Sequence, residues 1–140
     1  MFFIKKTFLT FLIIFLLFHV LATVYYWYWK FTWLDIPMHF LGGFLTAMLF
    51  AYFIYPKLQI INHKTLIAFI LFISFSALIG IFWEFYEFFY DIFISSRGFS
   101  GVMQYGAADT IADLLMDLSG AFVFSAIFML SKKYFYSSQE

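Results

Sequence analysis

The residues of this chain equipped for chemistry are mostly acids, and they are unevenly placed. Seven of the eight acidic residues (Asp35, Glu84, Glu87, Asp91, Asp109, Asp113 and Asp117) fall within or at the edge of long apolar stretches, and only Glu140 lies apart. Asp35 and His39 are four residues apart, so they share one helix face, and Glu84 and Glu87 are three apart. Asp109, Asp113 and Asp117 repeat every four residues, a stripe that descends about 12 Å along a helix. An oxygen-rich set with one imidazole suits Mg²⁺, Mn²⁺ or Ca²⁺, and through His39 also Zn²⁺ or iron. Competing chemistries are missing from the sequence. There is no phosphate-binding G-x-x-x-x-G-K-[ST] loop, no H-E-x-x-H helix, no G-x-S-x-G nucleophile turn and no cysteine.

The elements that carry these acids are membrane spans. Of the 140 residues, 65% are hydrophobic and only 11% charged, whereas a soluble domain is nearer half apolar and a quarter charged. So little polar surface excludes a soluble enzyme and a disordered tail, and the balance of eight basic and eight acidic residues supplies no field for nucleic acid. Between Lys6 and Lys30 lie 23 residues without Lys, Arg, Asp or Glu, between Asp35 and Lys57 there are 21, and between Lys64 and Glu84 there are 19. Each can cross a hydrocarbon core of about 30 Å. Only 14 residues separate Asp117 from Lys132, so a fourth span must begin near Asp109 and take Asp113 and Asp117 into the membrane.

The expected architecture is all-α and integral to the membrane, a four-transmembrane-helix bundle forming a single domain over 1–140. Its helices are predicted at about 7–28, 36–56, 65–90 and 107–131, with an outer loop over 91–105. Lys5 and Lys6 before an apolar run resemble a signal peptide, but the run continues into Tyr25 and Trp27, which favours an uncleaved helix. Lys5, Lys6, Lys57, Lys64, Lys132 and Lys133 fall on one side and Lys30 and Arg97 on the other, which places both termini in the cytoplasm. Trp27, Trp29, Trp33 and Trp83 then form an outer aromatic belt, and Tyr52, Tyr55, Tyr134 and Tyr136 an inner one. Asn62 falls in a short inner loop. The expected location is the bacterial cytoplasmic (inner) membrane.

In that topology three helices bring acids to the same end and a similar depth. A carboxylate in mid-helix costs about 2.5–3.5 kcal/mol on insertion scales and usually faces a bundle interior. With Lys30 and Arg97 the only nearby cations, either several acids are protonated or metal ions sit among them. The first span has no acids and reads as an anchor and packing partner. Gly43, Ala47 and Ala51 form a small-residue row for helix contact, and Gly80 and Gly120 would let neighbouring helices close around the acids. Ser74, Ser76, Ser119 and Ser125 read as packing or interhelical hydrogen-bonding residues.

Asp35-x-x-x-His39-x-x-Gly42, Trp83-Glu84-x-x-Glu87 and Asp109-Thr110-x-x-Asp113, followed by Gly120-Ala121, resemble an uncharacterised bacterial inner-membrane family that includes YjdF. The likeness runs from Asp35 to Ala121 in the same order. Ala107, Ala108 and Ile111 depart from that family's acid, Trp and Gln. A more distant resemblance is to the VanZ-like membrane proteins linked to cell-envelope phenotypes.

The leading expectation is a metal-dependent membrane hydrolase or transferase acting at the outer leaflet, on a lipid head group or lipid-linked envelope precursor. His39, Glu84, Glu87, Asp113 and Asp117 would hold one or two divalent ions (Mg, Mn, Zn or Fe), and Asp109 or Asp35 would serve as general base. Arg97 is a weaker candidate for a substrate phosphate. Partners would be membrane lipids and no nucleic acid, with a homo-oligomer left open. The rivals are a proton- or cation-coupled transport or sensing module, and a structural helper of an envelope complex. A conduit needs polar residues continuing toward the cytoplasm, and beyond Asp117 the fourth span offers only Ser119 and Ser125 before Ser131.

Overall fold

The computed structural model describes residues 2–57 and 65–137. Asn62, Lys64 and Glu140 lie outside the described residues. Long helices are α1 (Phe2–Val24), α3 (Asp35–Leu49), α4 (Thr65–Phe93) and α5 (Ala107–Ser137), and a single turn, α2 (Trp27–Lys30), joins the first two. Four segments are long and apolar enough to cross a membrane: Lys6–Val24, Thr32–Ile54, Leu66–Arg97 and Ala107–Ser131. The protein is an all-α membrane protein.

The first helix stops at Val24, short of the predicted 28, because Tyr26 takes a left-handed backbone with φ of 60°. The chain then turns through α2 and a 3₁₀ turn over Thr32–Leu34 before α3 begins at Asp35. Pro37 falls in the first turn of α3, where its missing N–H costs no helical bond. Where an unbroken helix to 56 was expected, α3 widens into a π turn over Phe50–Ile54 and tightens into a 3₁₀ turn over Tyr55–Lys57. At the π turn Phe50 packs on Phe72 and Phe75 of α4, and Tyr52 packs on Phe124 and Phe128 of α5.

The largest helix–helix interface joins α3 to α5, followed by α4 with α5, while α1 touches the bundle more lightly. The α3–α5 contact is backbone to backbone. A Cβ on Gly43 would collide with the Asp117 carbonyl, and one on Gly120 with the Phe40 carbonyl. Small residues at a membrane helix crossing allow this approach, and here it sets Asp117 of α5 beside His39 of α3. Below the acids, Phe50, Phe72 and Phe124, all nearly inaccessible, fill the centre of the bundle.

Candidate metal centre

His39, Glu84, Glu87 and Asp113 converge from α3, α4 and α5. Each offers one ligand atom, and these atoms all lie within 4.8 Å of one another. The four residues are 5%, 5%, 2% and 2% exposed. From His39 Nε2 the nearest carboxylate oxygens are Asp35 Oδ1 at 3.7 Å, Glu87 Oε1 at 4.0 Å and Asp113 Oδ1 at 4.0 Å. These gaps are too long for hydrogen bonds. They are short enough for an ion to bridge, since a metal–nitrogen and a metal–oxygen bond together span up to about 4.2 Å.

Hydrogen bonding isolates the same four residues. Among the described residues, the buried side-chain atoms without a hydrogen-bond partner are His39 Nε2, Glu84 Oε1, Glu87 Oε2 and Asp113 Oδ2, one from each. Unpaired buried polar atoms are uncommon because each costs about 1–3 kcal/mol. The residues that carry these atoms are the same four that could hold a metal ion.

The other polar atoms of His39, Glu84 and Glu87 have partners. Trp83 Nε1 donates to Glu87 Oε1 at 2.8 Å, and Gln104 Nε2 donates to Glu84 Oε2 at 3.0 Å and to Thr110 Oγ1 at 2.9 Å. Asp117 Oδ2 lies 3.3 Å from His39 Nδ1. A carboxylate can only accept, so Nδ1 is the donor in this pair, and Nε2 is the ring nitrogen left facing the centre. Asp117, expected among the ligands, therefore stands behind the imidazole, where carboxylates orient metal-binding histidines.

Asp35 and Asp109 form a second group with Asp113, again with ligand atoms within 4.8 Å. Asp35 is less buried, its side chain 24% exposed. Asp109 has a local duty: its Oδ2 accepts from the Tyr105 N–H at 2.9 Å, closing the start of α5. Asp91, in the last turn of α4 rather than in the outer loop, binds the loop that follows. Its Oδ1 accepts from Ser95 Oγ and the Met103 N–H, and its Oδ2 from the Gln104 N–H. That clamp aims Gln104 at Glu84. Arg97 is exposed on the 3₁₀ turn Ser95–Arg97 and lines no part of the neighbouring cavity.

The cavity has a volume of about 730 Å³ and is bounded by α1, α2, α3, α4 and the loop before α5. His39, Glu87, Asp35, Asp109 and Asp117 reach its wall, while Glu84 and Asp113 lie behind it. The first helix is more than an anchor here, because its His19 also lines the cavity. His19 Nδ1 is 2.9 Å from the Tyr28 hydroxyl, and the His19 ring packs edge-on against Trp83. Burial raises the Tyr28 hydroxyl above its usual range, and the Asp35 and Glu87 charges add to this. Neither His19 nor Gln104 stood out in the sequence, one a lone histidine in an apolar run and the other a polar residue in a loop.

Residues 2–134 match the family described as Predicted membrane protein (DUF2238). The chain belongs to that family. No curated protein and no solved structure matches it. In this DUF2238 member, Ser76 and Gly80 act as the small-residue reading expects. Ser76 Oγ donates to the Gly43 carbonyl at 2.9 Å and pairs with Thr46 Oγ1, and Gly80 leaves room for the Asp117 carboxylate. Ser119 and Ser125 instead bond back to carbonyls of their own helix, Leu115 and Ala121.

Proposed function

We propose that this chain is a metal-dependent hydrolase or transferase of the bacterial cytoplasmic membrane, acting at the outer leaflet on a lipid head group or lipid-linked envelope precursor. The observation that carries the reading is the coincidence of the four partnerless atoms with the four residues able to hold an ion. His39, Glu84, Glu87 and Asp113 hold the ion, and Asp117 orients His39. One imidazole with three carboxylates suits Mn²⁺, Fe²⁺ or Zn²⁺ better than Mg²⁺, which takes few protein ligands and keeps its waters. Asp35, at the cavity wall and free of the capping bond that Asp109 makes, is the general base toward water or a hydroxyl. In hydrolysis of a phosphodiester the water oxygen bonds to phosphorus and Asp35 takes its proton, while the bond from phosphorus to the ester oxygen breaks and that oxygen takes a proton from solvent water to leave as the alcohol. The bound ion supplies charge neutralisation at the phosphate.

The resemblance to the family that includes YjdF, and more distantly to VanZ-like proteins, supports an envelope setting. The transport reading is weaker, because beneath the acids the polar groups reach only Thr46 and Ser76 before the Phe50, Phe72 and Phe124 core. Elemental analysis of detergent-purified protein tests the proposal. Stoichiometric metal in the wild type, lost in Asp113→Asn and His39→Ala proteins that still insert, is expected. A wild type without metal after incubation with Mn²⁺, Fe²⁺, Zn²⁺ and Mg²⁺ would overturn it.

A further inference from the structure

The cavity beside the acids has two unlike ends. On α1 its wall is Phe8, Leu12, Phe15 and His19, a 4-3-4 spacing that keeps all four on one face. That face is apolar for three residues and polar only at His19, nearest the acids. Leu45, Leu49 and Ile79 continue the apolar wall on α3 and α4. The opposite face of α1 is also apolar and is exposed, with Ile14 and Leu17 each at 58%. Thus α1 separates an outer apolar surface from an inner apolar trough.

At the acidic end the trough meets Asp35, Asp109, Tyr28, Trp33 and Tyr105, and no lysine or arginine is among its lining residues. Such a mouth is complementary to a cation: carboxylates attract it, and tryptophan and tyrosine rings add cation–π attraction. From Phe8 to His19 the trough follows about 16 Å of helix, close to half of a hydrocarbon core of about 30 Å. Its volume of about 730 Å³ far exceeds what an ion needs, and apolar walls do not hold water.

We propose that the trough holds a hydrocarbon chain of a phospholipid whose head group carries an amine, with the ammonium at Asp109 among the mouth's aromatic rings. This rests on the reading of the site as a lipid head-group enzyme and narrows its substrate to an amine-bearing phospholipid. The phosphate of such a head lies beside the metal centre when its chain fills the trough.

The test uses the full chain in nanodiscs containing phosphatidylethanolamine with a mid-chain diazirine. Illumination is expected to label peptides at Leu12, Phe15, Leu45 or Leu49 at least fivefold above Ile14 and Leu17. Unlabelled phosphatidylethanolamine should compete, and equimolar phosphatidylglycerol should not. Leu12→Trp should abolish the cavity labelling while metal content stays at the wild-type level, with the outward Leu17→Trp as folding control. Asp109→Asn, which fills no space, should lower the preference for the amine lipid about tenfold. Labelling of Ile14 and Leu17 equal to that of Leu12 would mean annular lipid only and overturn the proposal, as would equal competition by phosphatidylglycerol. Cavity labelling in a protein that binds no metal would support the lipid site and defeat the enzyme reading instead.

Discussion

Gly80 makes no contact with the proposed ion, yet it is the most informative residue to change. A Cβ added there would lie 3.2 Å from Asp117 Cγ and closer still to Oδ2. Ordinary van der Waals contact requires the carboxylate to retreat by something on the order of 1 Å, since separations below the contact minimum rise steeply in energy. Asp117 Oδ2 is already 3.3 Å from His39 Nδ1, so the retreat takes the pair out of hydrogen-bond range. The imidazole then loses the partner that fixes its tautomer. Loss of such a partner typically weakens metal affinity 10–100-fold, or about 1.4–2.8 kcal/mol at 1.4 kcal/mol per decade. Asp117→Asn should cost a similar amount by removing the charge without changing the shape. Because both changes act on one interaction, the double variant should be no worse than the weaker-binding single one. Competition of the purified proteins against a chromophoric chelator measures all three affinities, and circular dichroism verifies the helices. Wild-type affinity in Gly80→Ala, or effects that simply add in the double variant, would refute the orienting role.

Further outcomes follow from the loop, the helix crossing and the tyrosine at the mouth. Asp91→Asn places an amide where two backbone N–H groups and a hydroxyl require acceptors. It should cost about 1.5–3 kcal/mol and speed hydrogen exchange at the Met103 and Gln104 amides; unchanged exchange sinks the clamp. Gly43→Ala, whose Cβ meets the Asp117 backbone, should destabilise by about 1–3 kcal/mol, while Gly42→Ala, with its nearest neighbour at 3.6 Å, should be tolerated in thermal melts. Equal melts for the two would remove the close-approach argument. Burial, then the Asp35 and Glu87 charges, keep Tyr28 neutral above the ordinary tyrosine range. Its raised pKa contributes stability that is complete below pH ~10 and is lost as pH rises further. Tyr28→Phe should flatten that alkaline decline, and identical pH–stability curves for the two proteins would contradict it.

Much of the architecture was legible because charge is expensive in hydrocarbon. The short interval between Asp117 and Lys132 alone forces Asp113 and Asp117 into the membrane, and the four-residue spacings put Asp35 with His39 and the α5 acids on common faces. Spacing cannot tell which ring nitrogen a carboxylate will meet. Asp117 is one turn below Asp113, and only the close α3–α5 crossing at Gly43 and Gly120 decides that it stands behind His39. Gln104 reaches Glu84 because Asp91 folds the loop back, a contact spanning 20 positions that no helical period encodes.

The layer of phenylalanine rings around Phe50, Phe72 and Phe124 makes the acidic end a cul-de-sac. Under the proposed function, product and incoming substrate would contend for its mouth. Among the described residues the same rings leave no polar path beyond Thr46 and Ser76, so under that reading the protein is expected to conduct no protons.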